Sequence, residues 1–406
     1  MAEAKRARAA PLHPYLPDEI FIWEILLRLP PKPLLRCRAV CRGWRRATSA
    51  RDFLLAHHTR QPSLPLLFES NDKTDEGGGY LDVIPLDRRA GVAVADQLRC
   101  VARFDTGGAF AFMEASCDGL LVLSTNQGQS LSDVSYYSVC NPVTRQYAPL
   151  PLLRGFCIAG MYPHPHTGEY RLLTYLDPLL ELDEPWPAAG YHCYVYALGS
   201  SEPPRDIGWP EAEEAIHALD PVLFRGGLHW FIDKDKSESC MIMVFDTIAE
   251  LFRQMHVPAV PGPGEPDLFE MDGMLGMASF TDARTTIDIW MTHDYDNEIW
   301  AFKYRVKLPV VELATRFGLD KYNWRLVVSS CNDDDNDLLI LVNYDGWLLQ
   351  IDMAGKLVSS FHRKLVGPTL LRFKQSLVRH TFFPTREGYV VNDWPLISPD
   401  DHAVDA

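Results

Sequence analysis

Hydrophobic and polar residues follow two different patterns along the chain, and the change between them falls near residue 65. Residues 16–58 contain apolar positions at spacings of three and four, interrupted by prolines, which is typical of short helices. Farther along, short runs rich in β-branched and aromatic residues end at turn residues. The sequence therefore predicts a small all-α domain followed by a large, mostly antiparallel all-β domain.

The helical region predicts three helices. The first begins near Pro17, a residue suited to a first helical turn, and ends at Pro30, where the pair Pro30-Pro31 cannot continue a helix. Apolar residues surround most of this helix, so it needs cover on two sides. A second, basic helix is predicted from Pro33 to about Thr48 and a third from Asp52 to His58. Residues 59–64 are expected to link the two domains.

Glycine-containing pairs mark the expected hairpins of the β domain, because they supply the positive φ angles of tight turns. They are Asp118-Gly119, Thr167-Gly168, Gly226-Gly227, Asp345-Gly346 and Ala354-Gly355. Major turns recur irregularly, at roughly the length of a four-stranded blade with insertions. Residues 65–395 are therefore predicted to form a β-propeller of five to seven blades, with a pair of β-sandwiches as the alternative. Within this β region, residues 211–219 have the sequence pattern that most favours a helix.

Sequence composition indicates the cellular compartment of the protein. No run reaches the roughly 18 apolar residues of a membrane span, and the N-terminus lacks the apolar core of a secretory signal. The nine cysteines form no CxxC pair, and there is no Asn-x-Ser/Thr site. These features suit a reducing compartment. We expect a cytoplasmic or nuclear protein without a membrane partner, with disordered tails at residues 1–12 and 396–406.

Charge differs between the two regions. Residues 1–60 hold 12 Lys and Arg against 5 Asp and Glu, a net charge of +7. Residues 61–406 hold 27 against 49, a net charge of −22. The acidic domain argues against nucleic acid and for a neutral or basic protein partner, although surplus carboxylates can also serve solubility alone.

Catalytic and metal-binding motifs are not found. The sequence has no Gly-x-Ser-x-Gly, phosphate-binding loop, dinucleotide motif or His-Glu-x-x-His. The run 333–337 resembles the start of a calcium loop but lacks its glycine and its bidentate glutamate. The pairs His164/His166, His57/His58 and Cys37/Cys41 lack further ligands at a recognisable spacing. We expect no metal, no cofactor and no catalytic residue, and we interpret the tryptophans of the β domain as core residues.

Ordered motifs in residues 13–58 resemble the F-box. They are Leu16-Pro17-Asp18-Glu19-Ile20, Glu24-Ile25-Leu26-Leu27-Arg28-Leu29-Pro30, residues 34–45, Asp52-Phe53 and His57. The downstream region is similar to the F-box-associated β domain of large plant families. That likeness rests on residues 116–120, 141–146, 150–151, 168–171, 227–230, 245–246 and 298–300.

The resemblance implies a non-catalytic adaptor of an SCF-type (SKP-cullin-F-box) E3 ubiquitin ligase. The F-box would bind a SKP-family linker protein and through it cullin, while the β domain would capture an unknown protein substrate. The alternatives are an F-box-containing binding module that acts outside a ubiquitin ligase and, ranked last, a propeller enzyme. Substrate is expected at loops of a propeller face, with 71–79, 177–190, 233–239, 262–272 and 332–337 as candidates.

Matching positions of the F-box motif give the predicted SKP-linker interface, including residues that support it from within. The set is Leu16, Pro17, Ile20, Ile25, Leu26, Leu29, Pro30, Leu34, Val40, Cys41 and Trp44. Helices too apolar to be solvated on their outer face agree with a partner that covers them.

Overall fold

The computed structural model describes residues 17–71, 79–88, 97–126, 135–176, 192–210, 221–231, 241–258, 266–281, 285–318, 325–330, 338–363 and 365–383. The chain divides into two compact units, residues 1–61 and residues 62–406. No helix among the described residues is long and apolar enough to span a membrane.

The regular elements of the first unit are all helices in its described part. Its first helical segment combines α1 (Asp18–Ile20), a π-helical turn (Phe21–Ile25) and a 3-10 turn (Leu26–Arg28). Three α-helices follow: α2 (Pro31–Cys37), α3 (Arg42–Ala47) and α4 (Arg51–Arg60). Pro31 occupies the first turn of α2, a position that needs no backbone donor.

The predicted second helix, Pro33 to Thr48, is wrong as a single element because the chain breaks between α2 and α3. Cys41 is extended, with φ −153° and ψ 161°, and its Sγ accepts a hydrogen bond from the Trp44 backbone N–H at 3.4 Å. The guanidinium of Arg38 holds the break by donating to the Thr48 carbonyl at 2.6 Å. The interdomain linker is also shorter than predicted, since α4 continues to Arg60 and the first strand starts at Ser63.

The second unit consists, in its described residues, of strands, one α-helix and a 3-10 turn (Pro151–Leu153). In chain order the strands are β1 (Ser63–Asn71), β2 (Tyr80–Pro85), β3 (Ala102–Asp105), β4 (Phe110–Cys117), β5 (Leu120–Asn126), β6 (Tyr136–Asn141), β7 (Gln146–Pro149), β8 (Phe156–Pro163), β9 (Tyr170–Leu176), β10 (Cys193–Ala197), β11 (Arg205–Gly208), β12 (Val222–Phe224), β13 (Gly227–Phe231), β14 (Met241–Asp246), β15 (Leu251–His256), β16 (Asp267–Met271), β17 (Met274–Thr281), β18 (Thr286–Asp294), β19 (Ile299–Lys307), β20 (Arg325–Ser330), β21 (Leu338–Tyr344), β22 (Trp347–Ile351), β23 (Leu357–His362) and β24 (Val366–Lys374).

These strands form six separate four-stranded antiparallel sheets, the blades of a six-bladed β-propeller. Five blades use consecutive strands: blade 1 is β4–β7, blade 2 β8–β11, blade 3 β12–β15, blade 4 β16–β19 and blade 5 β20–β23. Blade 6 has the order β24-β1-β2-β3, so the last strand pairs with the first and closes the ring. The propeller prediction is confirmed, and the sandwich alternative is wrong.

The hairpins agree with the glycine pairs in most places. Asp118-Gly119 has φ angles of 49° and 87°, and Asp345-Gly346 has 43° and 79°, as expected for tight turns with two positive φ angles. The predicted Gly226-Gly227 turn is displaced by one residue: Arg225-Gly226 forms it, with φ angles of 45° and 75°. Gly227 is instead the first residue of β13.

A second turn recurs between the third and fourth strands of blades 1, 3 and 4. In each, an Asn or Asp at the end of the third strand accepts backbone N–H bonds through its side chain: Asn141, Asp246 and Asp294. The residue before the fourth strand has positive φ: Arg145 (56°), Glu250 (53°) and Glu298 (56°). Motifs that look unrelated in the sequence are therefore one repeated structural turn.

Adjacent blades bury apolar side chains between their sheets. One such cluster includes Ile289, Ile340 and Leu349 from blades 4 and 5, together with Leu313 of helix α5 (Val310–Phe317). This helix was not predicted, although Pro309 precedes it and Gly318 ends it in the left-handed conformation. The expected helical stretch 211–219 lies outside the described residues.

Candidate partner-binding surface

The helical unit has a small core built from the ends of its helices. Leu26 and Leu27 of the 3-10 turn, Leu34 of α2, and Phe53 and Leu54 of α4 are buried. The first segment also contacts α4 through Trp23 and Phe53, whose ring centroids lie 5.7 Å apart. Because these buried residues come from three elements, the core fixes the path of the first helical segment.

A histidine reinforces this arrangement. The Nε2 of His57 in α4 lies 2.8 Å from the Leu29 carbonyl oxygen, and His57 is fully buried. Burial lowers the pKa of His57, an effect that outweighs the bond to Leu29. The imidazole therefore stays neutral, donates to Leu29, and ties α4 to the end of the first segment.

Aliphatic side chains of the predicted interface remain exposed in two places on this unit. Ile20 and Ile25 in the first segment are each 41% exposed, and Val40 between α2 and α3 is 67% exposed. A π-helical turn brings residues five apart onto one side, which relates Ile20 to Ile25. Exposed aliphatic side chains on one side of a helical segment favour a protein partner that covers them.

The eleven residues predicted for the linker interface separate by burial. Pro17, Ile20, Ile25, Pro30, Val40 and Cys41 are exposed; Leu29 and Trp44 are half-buried; Leu26 and Leu34 are buried; and Leu16 lies outside the described residues. The buried leucines are therefore placed to support a surface, whereas the six exposed residues can contact a partner. Their role in binding remains a prediction.

Sequence reasoning passed over three further exposed apolar residues, Trp23, Leu35 and Leu55. Trp23 follows Ile20 by three positions, and that spacing was visible in the sequence. Leu35 follows the buried Leu34 in α2, so only the packing of α2 decides which of the two leucines faces outward. Leu55 lies on α4, apart from the motif positions.

The propeller shows no metal site in its described part, and no group of three or more potential ligands occurs anywhere among the described residues. His164, one of the paired histidines, instead contacts the Thr167 hydroxyl at 3.0 Å. The run 333–337 and most of the loops expected to bind substrate lie outside the described residues. The exception is segment 262–272, most of whose described part is strand β16.

Neighbouring blades are joined by charged contacts at the repeated turns. The Glu250 carboxylate of blade 3 accepts hydrogen bonds from blade 2: Tyr162 at 2.8 Å, Arg171 at 2.6 Å, and Arg205. Glu298 occupies the same turn position in blade 4 and contacts His256 of blade 3 at 3.0 Å. These contacts join neighbouring blades.

Known proteins resemble both units. The family model described as an F-box associated beta propeller domain matches residues 94–346, and the F-box-like model matches residues 13–60. F-box protein At5g49610 of Arabidopsis thaliana is 26% identical over 322 residues, which cover 73% of this chain and 80% of that protein. F-box protein At3g17710 of the same plant is 26% identical over 320 residues, covering 71% and 77%.

Solved structures resemble the chain only weakly. A chain in the crystal structure of a nidogen/laminin complex has a TM-score of 0.39 and 12% identity, with 77% of this chain and 99% of that chain covered. The strand pairing described above therefore carries the assignment of the fold.

Proposed function

The chain belongs to the F-box proteins that carry an F-box associated β-propeller domain, and on this premise we propose that it is the substrate-recognition adaptor of an SCF-type ubiquitin ligase. Its helical unit would bind a SKP-family linker, and the linker would bind cullin. Its propeller would capture a protein target. The adaptor itself would be non-catalytic, with ubiquitin transfer performed by other subunits.

The observation that carries this proposal is the set of exposed apolar side chains on the helical unit. Ile20, Ile25 and Val40 lie outside the core formed by residues such as Leu26 and Leu34. Aliphatic side chains buried at a protein interface contribute free energy through removal from water. A SKP-family linker that covers them would gain this energy without disturbing the core of the unit.

The proposed setting is the cytosol or the nucleus, where ubiquitin ligases of this type act. All seven cysteines in the described part of the chain are free thiols. Free thiols suit the reducing conditions of these compartments. Fractionation of cells that express the intact protein tests this part of the proposal, and recovery from a secretory compartment would contradict it.

The first experiment measures binding of a purified SKP-family linker to the intact chain and to an Ile20→Ala/Ile25→Ala double variant. We expect the double variant to bind at least about 100-fold more weakly, since two well-covered anchors commonly contribute this much. Leu55→Ala is the matched control: Leu55 is equally exposed on the same unit but lies outside the predicted interface.

Two results would overturn the adaptor proposal. One is an intact, folded chain that does not bind the linker. The other is a double variant that binds as tightly as the parent. If linker binding holds, depletion of cullin in cells separates the ligase from a non-ligase binding module: stabilisation of a captured target supports the ligase, and an unchanged target lifetime supports the module.

A further inference from the structure

The innermost strand of blade 1 begins with two exposed aromatic side chains. Phe110 is 39% exposed and Phe112 is 48% exposed, and they alternate along β4 with the buried Ala111. Counted from the β-bulge that each strand contains, the place of Phe112 is taken in the next inner strand, β8, by Cys157, which is half-buried. The two exposed rings of β4 therefore do not follow from the blade architecture alone.

A carboxylate follows these rings on the same strand at a β-bulge. Met113 pairs with Leu123 and Ala115 with Val122, so Glu114 between them has no partner residue on β5. Such an extra residue redirects its side chain, and bulges of this kind are frequent beside functional sites. The Ser124 hydroxyl, opposite Phe112, donates a hydrogen bond to Glu114 Oε1.

No compensating cation contacts Glu114 in the part of the chain that the structure describes. Among the described residues, no Lys, Arg or His bonds to its carboxylate, and Ser124 is its hydrogen-bond partner. Burial raises the pKa of Glu114, and the Ser124 hydroxyl only partly offsets this effect. A half-buried carboxylate without a counter-charge destabilises the folded protein, so a fold selected for stability alone would not keep it.

Blade 2 provides an internal comparison. Its inner strand β8 has a bulge at the corresponding place, between Ile158 and Gly160, and the extra residue there is Ala159. The bulge therefore forms without an acidic side chain. The carboxylate of Glu114 adds chemistry that the bulge does not require.

The net charge of the chain indicates the complementary ligand. Residues 61–406 carry a net charge of −22, so the propeller as a whole attracts cations. The faces of aromatic rings also attract cations, by about 0.5–1 kcal/mol at exposed sites and more where water is excluded. Two aromatic rings next to a carboxylate suit an extended cationic side chain better than an anionic or apolar one.

We propose that Phe110, Phe112 and Glu114 form a recognition site for a lysine or arginine side chain of the captured protein. The proposal rests on the adaptor function above and specifies the chemistry of the target. The rings would contact the aliphatic stem and the charged head of the target side chain. The Glu114 carboxylate would accept its N–H bonds.

The test uses blocked amino acids as probes: N-acetyl-lysine amide and N-acetyl-arginine amide, with N-acetyl-norleucine amide as the uncharged control. Saturation-transfer NMR on the intact chain detects such weak ligands. We expect at least one cationic probe to bind measurably more tightly than norleucine. Which of the two binds more tightly distinguishes a lysine site from an arginine site.

Two variants assign the binding to these residues. Glu114→Gln should weaken binding of the cationic probe by about tenfold or more through loss of the charged hydrogen bond. Phe112→Ala should weaken it about threefold through loss of a ring face. Phe302→Ala is the matched control, because Phe302 is about equally exposed on the outer strand β19 and should leave binding unchanged.

Weaker binding by these variants would not result from unfolding. Glu114→Gln removes a carboxylate that no described cation contacts and should leave the melting temperature equal or higher, and Phe112 is exposed. No preference for cationic probes, or equal binding by the parent and both variants, would overturn the proposal. The Glu114→Gln variant should still bind the SKP-family linker, so a failure here is distinguishable from a failure of the adaptor function.

Discussion

The two units differ in how many of their large apolar side chains are exposed for their length. Residues 17–61 leave six large apolar side chains exposed, whereas the far longer described part of residues 62–383 leaves eleven. The helical unit has few residues with which to cover its own surface, and three of its six exposed residues, Ile20, Trp23 and Ile25, lie in its first segment. The propeller can bury its apolar residues between neighbouring blades.

The difference teaches where each unit obtains its stability. Each blade of the propeller packs against two others, and polar contacts such as Glu250 with Arg171 join the blades at their edges. The helical unit has one small core and one histidine tie, His57 to Leu29. The first unit therefore suits a role completed by a partner, and the second suits a rigid platform.

The largest expected effect lies at the contact between blades 2 and 3. Glu250→Ala should lower the free energy of unfolding by about 3–5 kcal/mol, because the fully buried Tyr162 and the largely buried Arg171 lose their acceptor. Denaturant unfolding measures the change.

Glu298→Ala is a matched control, since Glu298 has the same turn position and the same positive φ. The Glu298 side chain is 26% exposed, against 9% for Glu250, and its partners are more exposed still. Glu298→Ala should lower the free energy of unfolding by less than about 1 kcal/mol, apart from any backbone strain that both variants share. Equal losses would contradict a buried contact that stabilises the ring.

The closure of the ring can be broken at Gly119. A Cβ at this position would lie 2.6 Å from the Lys374 carbonyl oxygen and 2.5 Å from the Ser376 Cβ, where the chain leaves β24. Gly119→Ala should cost about 3 kcal/mol, from left-handed backbone strain and steric overlap together. Thermal unfolding with a known enthalpy gives the value.

Gly273→Ala isolates the strain, because Gly273 also has positive φ but a Cβ there would meet no atom within 4 Å. It should cost about 1 kcal/mol. If the two alanine variants were equally stable, the packing of the C-terminal segment over blade 1 would contribute nothing to closure.

Lowering the pH should reduce the free energy of unfolding of the propeller, because His229 is buried. Burial lowers the pKa of this fully buried histidine to about 4, against hydrogen bonds to the Val222 and Gly227 carbonyl groups that raise it. Between pH 6.5 and about 4, His229 is therefore protonated in the unfolded chain and neutral in the folded protein. The stability that His229 contributes is complete above pH 6.5 and falls by up to about 3 kcal/mol as the pH approaches 4.

Unfolding measured between pH 7.5 and 4.5 tests this slope against a His229→Gln variant. The variant lacks the titrating group and should lose less stability on acidification. His57 also has a lowered pKa, but it is present in both proteins and cancels from the comparison. Parallel pH profiles would refute the role of His229.

The smallest effect is expected where the helical unit is exposed. Ile20→Ala and Ile25→Ala should each change the stability of the free protein by less than about 0.5 kcal/mol, because both side chains already contact water. Leu34→Ala, at a fully buried position, should cost about 2–5 kcal/mol and serves as the contrast. Large losses for the two isoleucines would mean that they belong to the core and not to a docking surface.

Local chemistry explains what could be predicted from the sequence. Asp118-Gly119 and Asp345-Gly346 predicted their hairpins correctly, because Asp and Gly readily adopt the positive φ angles of such turns. Apolar spacing likewise predicted helices before residue 60 and strands after 65. The family resemblance and the propeller fold are both confirmed.

Distant contacts explain what could not be predicted. The blade number depends on pairing β24 with β1, which lie at opposite ends of the propeller sequence. The break at Cys41 depends on a thiol that acts as a helix cap, a role seldom expected of cysteine. Glu114 looks like an ordinary strand residue until the β4–β5 register shows the bulge.

The most direct test of the account is backbone hydrogen exchange of the intact chain with and without a saturating SKP-family linker. The account predicts that the linker slows exchange in residues 17–41 and leaves exchange in the propeller strands unchanged. Protection within residues 62–383 together with none in the helical unit would contradict it, because the partner would then bind the platform and not the exposed helices.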